Sequence, residues 1–198
     1  MKWILCLMIS MMIGICCDGA VYEEHDDATL KRCISFANRS NDKKAQCCCG
    51  MLHEKREEYL DAFYWYIKSA KQGDITAQFR VGYLYLEGKG VEKDIEKAVY
   101  WLETSTAAGS SLASDYLASL YLTEKGDHLL AYSYLLISEF FKKKDLKEIL
   151  DREQIFSIRN SLGKTLKSID FVKEQMTKAE VEESQELARR WLRYNGFE

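Results

Sequence analysis

Three consecutive cysteines, Cys47, Cys48 and Cys49, stand in the stretch "AQCCCGML", with Cys33 upstream of them. Cysteines that converge can hold a metal ion, carry redox chemistry, or anchor a lipid. Buried singly, they fill space as small apolar residues. The three histidines, His25, His53 and His128, have no partner at a spacing known for catalysis or zinc binding. There is no nucleophile elbow, phosphate loop or zinc-protease signature. The "GKG" at 88–90 lacks the longer glycine spacing and the Lys-Ser/Thr that a phosphate cradle requires, so it reads as a turn. No catalytic, cofactor-binding or metal-binding residue is assigned, and no cofactor is expected.

The elements that position these residues follow from the chain as a whole. Its 198 residues, 47% hydrophobic and 30% charged, suit one globular domain with a sizeable core. Proline is absent, so a continuous and mostly helical body is expected. A net charge of −3, with both signs mixed along the chain, gives no basic stripe for nucleic acid. Residues 1–19 have the layout of a secretory signal peptide: Lys2, an apolar run from Trp3 to Cys17, then small residues. Cleavage after Gly19 and export to a periplasm or the exterior are expected. Lipidation at Cys16 or Cys17 is the rival, weakened because Ile15 stands where a small residue belongs, and an uncleaved anchor ranks third. Membrane contact is expected only under those rivals. Cleavage would leave Cys33, Cys47, Cys48 and Cys49, an even number that permits disulfides.

Self-similarity organises the rest. Shifting residues 62–86 by 36 positions puts Ala62 on Ala98, Tyr64 on Tyr100, Trp65 on Trp101, Gly73 on Gly109, Ala77 on Ala113, Gly82 on Ala118 and Tyr85 on Tyr121. Ala62, Trp65, Tyr66, Ser69 and Ala70 recur at helical steps along one face. Gly73 closes that helix, and Asp74 (Ser110 in the next unit) caps the following one. Each unit is thus a helical hairpin. Gly88 and Gly90 turn the chain into the next unit, whose first helix Asp94 caps. The second connection, "TEKGD", is three residues shorter, and Asp127 takes the place of Asp94.

The residues Ala62, Trp65, Ala70, Gly73, Asp74, Ala77, Gln78, Gly82, Tyr85, Gly88, Gly90 and Val91 resemble the Sel-one-like repeat, a branch of the tetratricopeptide-like helical repeats. Glu92 departs from it, since the family often has proline there. The resemblance implies an all-α fold, an α/α superhelix (solenoid) of antiparallel helix hairpins with about three repeats plus C-terminal capping helices. The expected layout is a degenerate unit at 28–54, full units at 59–94 and 95–126, a partial unit at 127–144 and capping helices at 145–198. Thr177 and Glu180 should form a capping box at the start of the last helix. The run "FFKKKD" at 140–145 reads as a helix end with solvated lysines.

A 32-residue shift lays the cysteine run on the second helix of a repeat, with Asp42 on Asp74, Gly50 on Gly82 and Cys49 on Val81, while Cys33 falls on Trp65. Cys33 can therefore face Cys49 or Cys47, and a disulfide to either would clamp the first hairpin. Plain apolar packing is the alternative. A metal site ranks third, because neighbouring helical residues point in different directions. Among the aromatics, Trp65 and Trp101 are expected in the core. Tyr64, Tyr66, Tyr83 and Tyr100 are the candidate groove-lining residues. Some cysteine-rich relatives of this repeat have been linked to binding or hydrolysing β-lactams, but here Lys71 and Gln78 stand at their cysteine positions. The resemblance thus favours an exported scaffold that binds a protein partner through its concave surface without catalysis. A cell-wall-fragment or β-lactam protein is the alternative.

Overall fold

The computed structural model describes residues 27–148 and 152–197. The candidate signal peptide at 1–19, Cys16, Cys17 and His25 lie outside them. Nine helices follow one another among the described residues. They are α1 (Asp27–Ser40), α2 (Lys43–Lys55), α3 (Tyr59–Lys71), α4 (Ile75–Glu87), α5 (Ile95–Ala107), α6 (Ser111–Thr123), α7 (His128–Glu148), α8 (Arg152–Lys173) and α9 (Lys178–Tyr194). The fold class is all-α, a helical-repeat superhelix of the solenoid type. None of these helices is long and apolar enough to cross a membrane.

The helix starts are set by one device used repeatedly. A helix opens with backbone amides that have no partner inside it, and a short polar side chain just before it can accept from one of them. Asp42 accepts from the Ala45 amide at 2.8 Å, Asp74 from Ala77 at 2.9 Å, and Asp94 from Lys97 at 2.9 Å. Ser110 accepts from Ala113 at 3.2 Å and Asp127 from Leu130 at 2.9 Å. Thr177 and Glu180 cap α9 reciprocally, as expected. These caps keep the repeats in register. From α3 to α5 and from α4 to α6 the helix limits shift by 36 residues, and from α2 to α4 by 32. Glu58 is the exception. It precedes α3 at the place of Asp94 but makes no side-chain cap, because its carboxylate is engaged elsewhere.

The chain divides into two compact units, one ending at Trp101 and the other beginning at Leu102. In the first, Cys47, Ala62, Tyr66, Ala70, Ala77, Val81 and Leu84 form one buried cluster, against which Val91 and Trp101 pack. Ala37, Ala45, Cys49 and Trp65 form a second, flanked by Cys33, Ile34 and Phe36. Close approach of α2 and α3 depends on Gly50, where a Cβ would sit 2.6 Å from the Tyr66 ring. Trp65 is buried as expected, while Trp101 is half-buried.

In the second unit α7 is 21 residues long and runs through positions 144 and 145 without a break. α8 and α9 both pack on it. Ser133 Oγ donates to the Ser184 carbonyl at 3.1 Å, and Phe141 meets Phe197 edge-on at 4.8 Å. The expectation of solvated lysines at 140–145 fails at Lys142, which is buried between α6, α7 and α8. Its ammonium is paired with Asp115 and donates to Thr165 Oγ1 at 2.6 Å. Ser138 also donates to Asp115, at 2.7 Å. The reason is the helical period: Ala131, Leu135, Ser138 and Lys142 lie at steps of four, three and four along the inward face. A buried ammonium is tolerated only with such partners.

Candidate functional site

The exposed large side chains of the first unit recur with the repeat. Tyr64 on α3 and Tyr100 on α5 are 53% and 62% exposed, although aromatic rings usually seek burial. Each stands edge-on to the tryptophan that follows it, with ring centroids 5.4 Å apart in both cases. The tryptophans pack inward and so fix the tyrosines' outward direction. Lys68, one turn after Tyr64, holds its ammonium 5.1 Å from the Tyr64 ring and 4.9 Å from Trp65, a cation–π arrangement that leaves the charge at the surface. Leu60, one turn before Tyr64, is also exposed. Each of the two helices thus presents an outward aromatic ring, and on α3 Leu60 and the Lys68 ammonium lie a turn to either side of it, an arrangement suited to contact with another molecule.

The other two groove candidates fare differently. Tyr83 is half-buried, stacked on Phe79 and covered by the Lys89 ammonium. Tyr66 is not a groove residue. It is fully buried, on the face that α3 turns toward α2, and its hydroxyl donates to Glu54 at 2.6 Å. Burial, and the neighbouring Glu54 charge after it, push the Tyr66 phenol far above the usual tyrosine range. Arg80 completes this network with a contact to Glu54 at 3.2 Å.

Cys33 and Cys49 are brought together, their sulfurs 2.8 Å apart as thiols. Cys47 instead joins the cluster around Tyr66. His53 is buried and pairs through Nδ1 with Glu58 at 2.6 Å, while Arg56 approaches the same carboxylate at 3.1 Å. The His53 hydrogen bond, with the Arg56 charge behind it, holds the Glu58 carboxyl below its usual range. Ligand-type atoms of His53, Glu58 and Asp61 lie within 4.8 Å of one another, but the Arg56 guanidinium already bonds the Glu58 carboxylate, so His53, Glu58 and Arg56 read as a salt-bridge network. A cleft of about 400 Å³ lies against Tyr85, Val91, Lys93, Asp94 and Lys97, with no nucleophile paired to a base on its walls. At the positions where cysteine-rich relatives carry their pairs, Lys71 is exposed and Gln78 is buried, its amide donating to the Ala70 carbonyl at 3.3 Å.

Two segments, residues 55–74 and 75–110, match the Sel1 repeat model. The chain carries Sel1 repeats. Over 104 residues it is 30% identical to DAP3-binding cell death enhancer 1 of Rattus norvegicus, a stretch covering 50% of this chain and 20% of that protein. Its fold is similar to that of c5321, a protective antigen of uropathogenic Escherichia coli displaying an SLR fold, with a TM-score of 0.70 at 20% identity over 92% of this chain and 37% of the other. A Sel1 repeat protein from Oxalobacter formigenes is also similar, with a TM-score of 0.57 at 20% identity over 93% and 84% of the two chains. The chain therefore spans about a fifth of the rat protein and well under half of the E. coli one. Sel1 repeats typically serve as scaffolds for protein–protein interaction. In these repeats the repeat-defining residues Ala62, Trp65, Gly73, Ala77, Gly82, Ala98 and Ala113 build and join the hairpins. The outward tyrosines lie between them.

Proposed function

We propose that this protein is an exported Sel1-repeat scaffold that holds a protein partner against the outward tyrosines of α3 and α5, with no catalysis of its own. The observation that carries this reading is the repeated pair Tyr64–Trp65 and Tyr100–Trp101, the same edge-on geometry 36 residues apart with both tyrosines outward. Rigid aromatic groups of this kind are the usual anchors of protein interfaces. The rat relative, named for binding DAP3, agrees with a protein-binding role. Export rests on the signal-like residues 1–19. The mass and N-terminus of the mature chain check it directly: cleavage after residue 19 is expected, and an intact Met1 would remove that part.

The binding reading is tested with a photo-crosslinking amino acid placed in turn at Tyr64, at Tyr100 and at Tyr194, which is 91% exposed on α9. Adducts to one and the same protein from positions 64 and 100, and none from 194, are expected in cells producing the chain. Equal labelling from all three positions, or from 194 alone, would overturn the reading.

A further inference from the structure

We infer that Cys33 and Cys49 form a redox-reversible staple that fixes α1 to α2. The inference stands apart from the scaffold reading, since it concerns the order of the first hairpin and not its partner. Cys33 lies in the middle of α1 and Cys49 in the middle of α2, and their sulfurs are 2.8 Å apart. A covalent disulfide spans about 2.05 Å, so closure asks for a sulfur displacement below about 1 Å. The neighbouring thiols are turned away. With 3.6 residues per turn, Cys48 and Cys47 point roughly 100° and 200° from Cys49. Cys47 accordingly packs with Ala62 and Tyr66, in a different cluster from the Cys49 group.

The first hairpin has reason to need the staple. In the α3–α4 hairpin the two equivalent positions hold Trp65 and Val81. Here both large groups are replaced by cysteine. α1 packs through Ile34, Phe36 and Ala37, and at its start Asp27 forms an exposed ion pair with Arg56 at 2.7 Å. Such pairs contribute little. Oxidation would replace the lost packing with a bond.

Burial sets the order of the chemistry. Cys33 is half-buried and Cys49 is 0% exposed, so the Cys33 thiolate is the one that meets an oxidant. It attacks one sulfur of a low-molecular-weight disulfide and expels one thiolate. The Cys49 thiolate then attacks Cys33 Sγ and expels the second half of the reagent. One protein S–S bond forms and the S–S bond of the reagent breaks. Two electrons pass to the reagent, and the two thiol protons end on its expelled halves.

The test uses the full chain, equilibrated with oxidised or reduced glutathione, alkylated without reduction and cut with trypsin. Residues 33–39 and 45–55 fall in separate peptides. After oxidation they are expected as one linked species two hydrogens lighter than the sum, with fragment ions placing the link at Cys49. Closing a loop of this size should also slow amide exchange in α1 on the order of a hundredfold, reversibly with dithiothreitol. Cys33→Ser removes a half-buried thiol. It should leave the reduced-state melt as in wild type, while the link and the added protection both disappear. Residues 33–39 found alkylated or carrying only glutathione after oxidation, or linked to Cys47 or Cys48, would overturn the staple. A link with no change in α1 exchange would overturn its ordering role.

Discussion

The two connections that follow α4 and α6 solve the same problem with different lengths of chain. Both carry a Lys-Gly pair at equivalent places, Lys89-Gly90 and Lys125-Gly126, and both end on an aspartate that caps the next helix. In the first, the Asp94 amide donates to the Tyr85 carbonyl at 3.0 Å, and in the second the Asp127 amide donates to the equivalent Tyr121 carbonyl at 2.9 Å. Three residues, Val91, Glu92 and Lys93, are present in the longer connection and missing from the shorter. The backbone contact that sets the next helix thus survives the deletion. What differs is packing. In the longer connection Val91 rests on the buried cluster and Gly90 lies against the backbone of Tyr59 and Leu60. Gly126 has nothing within 4 Å of where a Cβ would stand. Repeat register is therefore held by caps and one carbonyl, while the loop between them is used to pack or is trimmed.

The two glycines separate these roles most strongly. Both have left-handed backbones, with φ of 71° at Gly90 and 61° at Gly126, so alanine at either position costs about 1–2 kcal/mol. At Gly90 the added Cβ would also lie 2.4 Å from the carbonyl carbon and oxygen of Tyr59, which are backbone and cannot swing aside. Gly90→Ala is expected to lose more than about 3 kcal/mol, at the severe end for a single substitution, and Gly126→Ala only the backbone cost. Urea titration of the two variants decides. Equal losses would mean that the contact at Gly90 is dispensable and that the connections do not differ in packing.

Much of this was legible before any coordinates. The hairpins, their limits and the five Asp or Ser caps follow from self-similarity, because a cap needs only a short polar side chain three residues before the amide it receives. That Cys33 faces Cys49 followed from the same alignment. Three features escaped. The aromatic run from Phe63 to Tyr66 sets Tyr66 among the groove candidates, although its helical step puts it on the face of Ala62, Ser69 and Ala70, which is buried against Gly50 and Glu54 of α2. Lys142 was hidden in a lysine run, although its step of four from Ser138 placed it on the inward stripe. Glu58 stands where Asp94 caps, yet its longer side chain reaches His53 and Arg56 instead of the helix amides. The Lys142 and Tyr66 signals were present in the chain as positions on a buried helical face, and Glu58 is drawn to partners only five and two residues upstream.

If the caps carry the register in both connections alike, removing them should cost the same in each. Asp94→Ala and Asp127→Ala are each expected to lose about 1 kcal/mol, and the two losses should agree to within about 0.5 kcal/mol. Thermal melts read the pair. A clearly larger loss at Asp127 would show that the shorter connection leans on its cap because it lacks the packing of Val91.

The smallest effect concerns protonation of the Asp94 cap. Its carboxyl is held below the usual aspartate range, first by the Lys97 backbone amide and then by the Lys97 side chain, whose ammonium lies 2.9 Å away. A depressed native value means that the unfolded chain takes up the proton first. The ionised cap therefore contributes its full stabilisation above the ordinary aspartate range, near pH 4. That contribution shrinks as the pH falls toward the depressed native value. Asparagine is an equally good cap without a titrating group, so Asp94→Asn isolates the charge. Between pH 6 and pH 5 the stability difference between wild type and Asp94→Asn should stay constant, and between about pH 4 and pH 2 it should move in favour of the variant. A difference that does not change over the whole range would show that Asp94 serves as a neutral acceptor, leaving the bond to Lys97 without energetic weight.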